Sequence, residues 1–294
     1  MISSDVLRRI RRIELRTRKL VNESFAGAYR SAFKGRGIEF DAIRPYEPGD
    51  DVRLIDWNVT ARTGDAFVRQ YVEERELTVM LLLDASASCL FGSTSKSKRD
   101  VAAEVAAVLA YSAINNNDKV GLLLFSDQTE HYVPPRKGRN HILRLIRDLL
   151  TAQPAHKETD IAAALRMANR SLKRRSIIFL LSDMLAPIES YVTELSLLAY
   201  HHDVMVLIFS DPLEQQLPNV GLARIEDAET GQITWIDTGV TNWQRNFYAQ
   251  TQQLQNRVGI ALAQANVDAV RINVNDDYVA RLVSLFQSKA SSRR

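Results

Sequence analysis

From Glu76 to the C-terminus, unbroken apolar runs of strand length alternate with segments whose apolar residues recur every three to four positions. This alternation narrows the fold more than any other feature of the chain. Residues 77–83, 119–125, 176–181, 203–209 and 269–274 read as strands. Their runs of Val, Ile and Leu lack the polar alternation of a half-solvated sheet, so both faces must be covered. Residues 98–113, 141–150, 161–171, 188–200, 242–265 and 276–287 read as the helices that cover them. Strands separated by helices imply parallel crossovers, and the expected fold class is therefore α/β with a doubly wound, mostly parallel sheet. Hairpins are expected through 130–133 and over 222–238, the second turning at Glu229-Thr230-Gly231.

Ahead of this region the pattern changes twice. Residues 23–76 hold short segments (38–43, 52–57, 66–72) between turn formers such as Pro48-Gly49-Asp50 and Thr63-Gly64-Asp65. They read as a small β-rich subdomain, with Trp57 as a core anchor and with Arg44, Arg53, Arg62 and Arg69 paired among Asp41, Asp50, Asp51 and Asp56. Residues 1–22 read as a helix with Val6, Ile10, Ile13 and Leu20 near one face. The expected organisation is thus 1–22 a basic helix, 23–76 the β-rich subdomain, 77–211 the α/β domain, and 212–294 an extension that completes it.

The first twenty residues carry seven cations against two acids, whereas the other 274 carry 31 basic and 33 acidic side chains. The net charge of +3 therefore comes entirely from one segment, and no nucleic-acid partner is expected for the rest. That segment is expected to dock on the domain; peripheral membrane contact through 1–20 is the weaker expectation, since its apolar stripe is thin. A single cysteine, Cys89, excludes an internal disulfide framework and fits a reducing compartment. With no signal-peptide core and no apolar run of about 18 residues, the chain reads as cytoplasmic.

In an open parallel sheet, ligands collect beyond the carboxyl ends of the strands. The first strand runs out into Asp84-Ala-Ser86-Ala-Ser88, the strand near 181 into Ser182-Asp183, and Thr159 lies in the loop that opens a helix. Two carboxylates and three hydroxyls are all hard oxygen donors, suited to a small dication that keeps an open position. Competing chemistries fit less well. A phosphatase of haloacid-dehalogenase type needs a second carboxylate where Ser86 stands. Gly92-Ser-Thr-Ser-Lys96-Ser97 lacks the Gly-Lys pair of a phosphate loop. No Gly-x-Ser-x-Gly elbow is present, and the five histidines have no metal-ligand spacing. His201-His202 is expected to cap a helix end.

Asp84-x-Ser86-x-Ser88, Thr159 and Asp183, in that order at strand ends, resemble the metal-ion-dependent adhesion site of von Willebrand factor A domains. The chain further resembles the prokaryotic domain-of-unknown-function 58 family. The stretches carrying that likeness are Arg44-Pro-Tyr-Glu-Pro-Gly-Asp-Asp-Val-Arg-Leu-Ile-Asp-Trp57, Val120-Gly-Leu-Leu-Leu-Phe-Ser-Asp127, Pro134-Pro-Arg-Lys-Gly138 and Asp211-Pro-Leu-Glu214. The resemblance implies Ser86 and Ser88 as direct ligands of Mg²⁺ or Mn²⁺, with Thr159 direct or through water. It implies that Asp84 and Asp183 act largely through water, and that a partner's Asp or Glu takes the remaining position. It implies a non-enzymatic interaction protein working with a MoxR-type AAA+ ATPase or its client. A Mg²⁺-dependent phosphohydrolase in the same cleft is the alternative. Cys89, where many relatives have methionine, is expected to alter packing rather than ligation.

Overall fold

The computed structural model describes residues 23–33, 39–72 and 76–292, with positions 8, 11, 12, 14, 15 and 17 ahead of them. The helix expected over 1–22 lies largely outside the described residues. Within it, Thr17 is buried and Glu14 accepts from the Arg139 guanidinium at 2.7 Å. The chain divides into a smaller unit, Phe33–Leu77, and a larger one formed by Met1–Ala32 with Thr78–Arg294.

The larger unit is built on six strands: β3 (Thr78–Asp84), β4 (Lys119–Phe125), β5 (Thr129–Arg136), β6 (Ile177–Ser182), β7 (Asp203–Ser210) and β10 (Asp268–Asn273). They lie in the order β10-β7-β6-β3-β4-β5, all parallel except β5, which returns antiparallel to β4. β10 pairs with β7, so the C-terminal extension completes the same sheet. The helices are α3 (Lys98–Asn115), α4 (Arg139–Thr151), α5 (Ile161–Ser171), α6 (Ile188–His201), the short α7 (Pro212–Gln215), α8 (Thr241–Gln264) and α9 (Tyr278–Ser292). α3 packs on β3, β4, β6 and β7; α5 packs on β3 and β4 and α6 on β7. Alanines at 102, 103, 106, 107, 110 and 113 let α3 approach the strands closely, and it is buried on nearly every side. A helix apolar all round belongs inside a protein. Ser97 starts it in a capping box: its hydroxyl accepts from the Asp100 amide, and the Asp100 carboxylate accepts from the Ser97 amide.

Residues 23–32, expected to open the small subdomain, instead form α1 (Glu23–Ala32) and belong to the larger unit. The reason is aromatic burial. Phe25 and Tyr29 place their rings edge-on to Phe286 of α9 at 5.6 and 5.7 Å, and Phe179 of β6 meets the same ring at 6.3 Å. The Tyr29 hydroxyl donates to Asp118 at 3.1 Å, a buried polar bond that fixes the register of α1.

In the smaller unit, β1 (Glu39–Pro45) pairs antiparallel with β2 (Phe67–Val72), and a single helical turn (Val52–Leu54) and α2 (Trp57–Thr63) lie between them in sequence. Asp56 caps α2, accepting from the amides of Asn58 and Val59, while its other oxygen takes Arg69 Nε at 2.8 Å. The Arg69 bond, with those amides, holds this carboxyl below its usual range. Arg44 grips Asp50 with both terminal nitrogens, at 2.8 and 2.6 Å. Trp57 departs from expectation: it is 68% exposed. The polar work at this helix start falls to Asp56, and two strands with a seven-residue helix leave no interior wide enough for an indole.

His202 is the C-cap of α6, its backbone amide donating to the Leu198 carbonyl at 2.8 Å, while its ring turns away to another partner. It is buried, and its Nδ1 accepts from the Ser176 amide at 3.3 Å. Burial, then His201 and Arg175, depress its pKa, so the neutral ring is the folded form. The unfolded chain then takes up the proton more readily, and stability present above about pH 6.5 is lost as the pH falls. His202→Asn should flatten this acid limb in melting curves between pH 8 and 5; an unchanged slope would show another group responsible. Phe286→Ala should cost about 3–5 kcal/mol in urea unfolding, because it removes the ring shared by α1, α9 and β6.

Candidate metal centre at the carboxyl ends of the strands

The chain leaves β3 for β4 on one side and later returns to β6 on the other, so the strand order reverses between β3 and β6. Loops splay apart at such a switch point and leave a crevice. Leu83 pairs with Leu181, so Asp84 at the end of β3 and Asp183 just beyond β6 emerge side by side. One carboxylate oxygen of each, with the Cys89 sulfur, lies within 4.8 Å of the other two, and all three residues are buried.

Each side chain is aimed by local bonds. Asp84 Oδ1 accepts from the Ser86 amide at 3.0 Å and Oδ2 from the Ser182 hydroxyl at 2.6 Å. The hydroxyls of Ser86 and Ser88 stand 3.1 Å apart. Asp183 Oδ1 accepts from the Leu185 amide at 3.3 Å, and Met184 between them takes the left-handed conformation with φ 57°. The Ala87 amide donates to the Lys157 carbonyl at 2.9 Å, tying the serine loop to the loop of Thr159. The structure thus groups Asp84, Ser86, Ser88 and Asp183. It brings the Thr159 loop alongside, with the Thr159 hydroxyl donating to Glu229 at 2.7 Å.

Burial, then the charge of Asp183, pushes the Asp84 carboxyl up to about 6. Burial and the same two carboxylates raise the Cys89 thiol, which donates to Asp183 Oδ2 at 3.9 Å. Cys89 therefore touches the site as well as packing beneath it, as a protonated donor. The donor set fits a hard dication: oxygens converge, and a desolvated carboxylate stands beside a second one.

Lys98 is the residue that sequence reasoning missed. It is 0% exposed, and its Nζ donates to Asp183 Oδ2 at 2.7 Å and to Glu214. Burial alone would lower the ammonium pKa, but Asp183 and Glu214 outweigh it and hold the group charged. A signal did exist, since a lysine in the first turn of a helix opposes the helix dipole and needs a partner elsewhere. Glu214 belongs to α7, which Asp211 caps by accepting from Leu213; Asp211 also takes the Ser93 amide at 2.8 Å. Lys98→Met should destabilise the fold by about 3–5 kcal/mol, because it leaves the buried Asp183 and the part-buried Glu214 without a counter-charge. Adding Glu214→Gln should recover part of the loss in urea unfolding, and full additivity of the two changes would refute the coupling.

The family described as "Protein of unknown function DUF58" matches residues 42–257. The protein Rv1480 of Mycobacterium tuberculosis is 34% identical over 226 residues, covering 76% of this chain and 71% of that protein. Among solved structures, the conserved hypothetical protein BatB from Bacteroides thetaiotaomicron aligns over 73% of this chain and 99% of its own, at 18% identity and a TM-score of 0.48. A von Willebrand factor type A protein from Catenulispora acidiphila aligns over 77% of this chain and 44% of its own, at 11% identity and a TM-score of 0.40. The fold assignment stands on the sheet itself: a central, mostly parallel sheet, flanked by helices on both faces, is von Willebrand A-like and Rossmann-type. With the matched region spanning most of the sequence, this chain belongs to the domain-of-unknown-function 58 family.

Proposed function

We propose that this protein is a non-enzymatic, metal-dependent interaction module. Asp84, Ser86, Ser88, Thr159 and Asp183 hold Mg²⁺ or Mn²⁺, and a protein partner contributes an Asp or Glu. The observation that carries this reading is the pair of buried carboxylates beside paired serine hydroxyls at the switch point of the sheet. A dication bound there supplies an electrophilic position for an incoming carboxylate. The serine and threonine hydroxyls are neutral donors, so the residual charge favours an anionic fifth or sixth ligand. Asp84 and Asp183 are held by amide and hydroxyl donors that fix their oxygens before anything binds.

The rim supports a protein rather than a small molecule as partner. Leu90, Phe91 and Leu185 are exposed on the same two loops that carry Ser88 and Asp183. Apolar side chains around a polar centre are the composition of a docking patch. The partner class we propose, on the family resemblance, is a MoxR-type AAA+ ATPase or its client. Among the described residues no helix is long and apolar enough to cross a membrane.

Millimolar Mg²⁺ or Mn²⁺ should raise the melting temperature, the gain reaching about 2.7 kcal/mol at a hundredfold excess over Kd. Asp84→Ala and the double variant Ser86→Ala/Ser88→Ala should abolish the rise while keeping the circular dichroism of the wild type. An equal rise in both variants would place the ion elsewhere. Partner capture should vanish with EDTA, and capture indifferent to both EDTA and Asp84→Ala would refute the mechanism.

A further inference from the structure

We propose that Glu229 is the chain's own carboxylate for this centre, standing where a partner's acidic residue would enter. The inference rests on the metal-site reading above and adds a ligand that the motif does not contain. Glu229 sits at the tip of the hairpin formed by β8 (Leu222–Glu226) and β9 (Ile233–Asp237), seventy residues beyond Thr159. Its Oε1 accepts from the Thr159 hydroxyl at 2.7 Å, and its side chain is half-buried. No arginine or lysine among the described residues pairs with it.

The tip is built to hold that carboxylate in place. Asp227 Oδ1 accepts from the amides of Glu229 and Thr230 at 3.0 and 2.8 Å. The Asp227 backbone exchanges bonds with Gln232 and Gly231, and Gly231 supplies the left-handed φ of 71° that closes the turn. Three other carboxylates near these loops are already committed. Asp160 caps α5 through the Ala163 amide, and Glu130 takes the Ser126 hydroxyl with the amides of Ala155 and His156. Glu214 is held by Lys98 and the Asp211 amide. Glu229 alone among these reaches a hydroxyl of the motif. A threonine hydroxyl that donates its one proton to Glu229 keeps its lone pairs free for a cation, so the two roles coexist. A partner's carboxylate must then compete with Glu229, and the hairpin sets the threshold for binding.

Mn²⁺ titration calorimetry on the full chain tests this, with wild type, Glu229→Gln, Asp84→Ala and, as a control on the same hairpin, Glu226→Gln. Glutamine keeps an acceptor for Thr159, so Glu229→Gln removes the charge and preserves the turn. The expected result is Mn²⁺ affinity about tenfold weaker in Glu229→Gln, restored by excess acetate, with Glu226→Gln like wild type. Affinity in Glu229→Gln equal to wild type, or acetate acting equally on both proteins, would overturn the inference and leave the metal site standing. Wild-type binding no better than that of Asp84→Ala would overturn both.

Discussion

Parallel pairing of β3 with β6 sets two buried carboxylates side by side beyond the strand ends, and much of the larger unit is arranged around that placement. Carboxylates this close repel, and burial removes the solvent that would screen them. The fold answers with donors: Ser182 and the Ser86 amide on Asp84, the Leu185 amide and the Lys98 ammonium on Asp183. Each answer fixes a neighbouring segment, so the electrostatics of the site and the conformations of its loops are one problem.

Lys98 extends that problem beyond the crevice. Its ammonium joins Asp183 to Glu214, and Glu214 shares a capping box with Asp211, which in turn holds the Ser93 amide. A single cation thus links the end of β6, the start of α3 and the turn after β7. Asp183 and Glu214 share that one ammonium, while Asp84, held by Ser182 and the Ser86 amide, has no bond to it. The hairpin of β8 and β9 reaches the Thr159 loop through Glu229, so the C-terminal extension touches that loop as well as completing the sheet.

Legibility followed the length scale of the interaction. Continuous apolar runs marked β3, β4, β6 and β7, because a strand buried on both faces has no polar alternation to confuse its reading. Asp84, Ser86 and Ser88 were legible as a local pattern, and their mutual bonds are local too. Trp57 was misjudged because an aromatic beside apolar residues looks like a core residue, while exposure depends on how much protein surrounds it. Residues 23–32 were assigned to the wrong unit because Phe25 and Tyr29 take their partner, Phe286, from the far end of the chain.

By itself the sequence determined the alternation of strands and helices, the parallel sheet that follows from it, and the oxygen-donor motif at the strand ends. These depend on neighbours within a few residues, where periodicity and spacing carry the information. Tertiary structure alone decided that Lys98 neutralises Asp183, that Cys89 donates to the same carboxylate, and that Glu229 reaches Thr159. Those contacts join residues 85, 94 and 70 positions apart. Their energies come from desolvation and charge in a crevice that exists only once the sheet has formed.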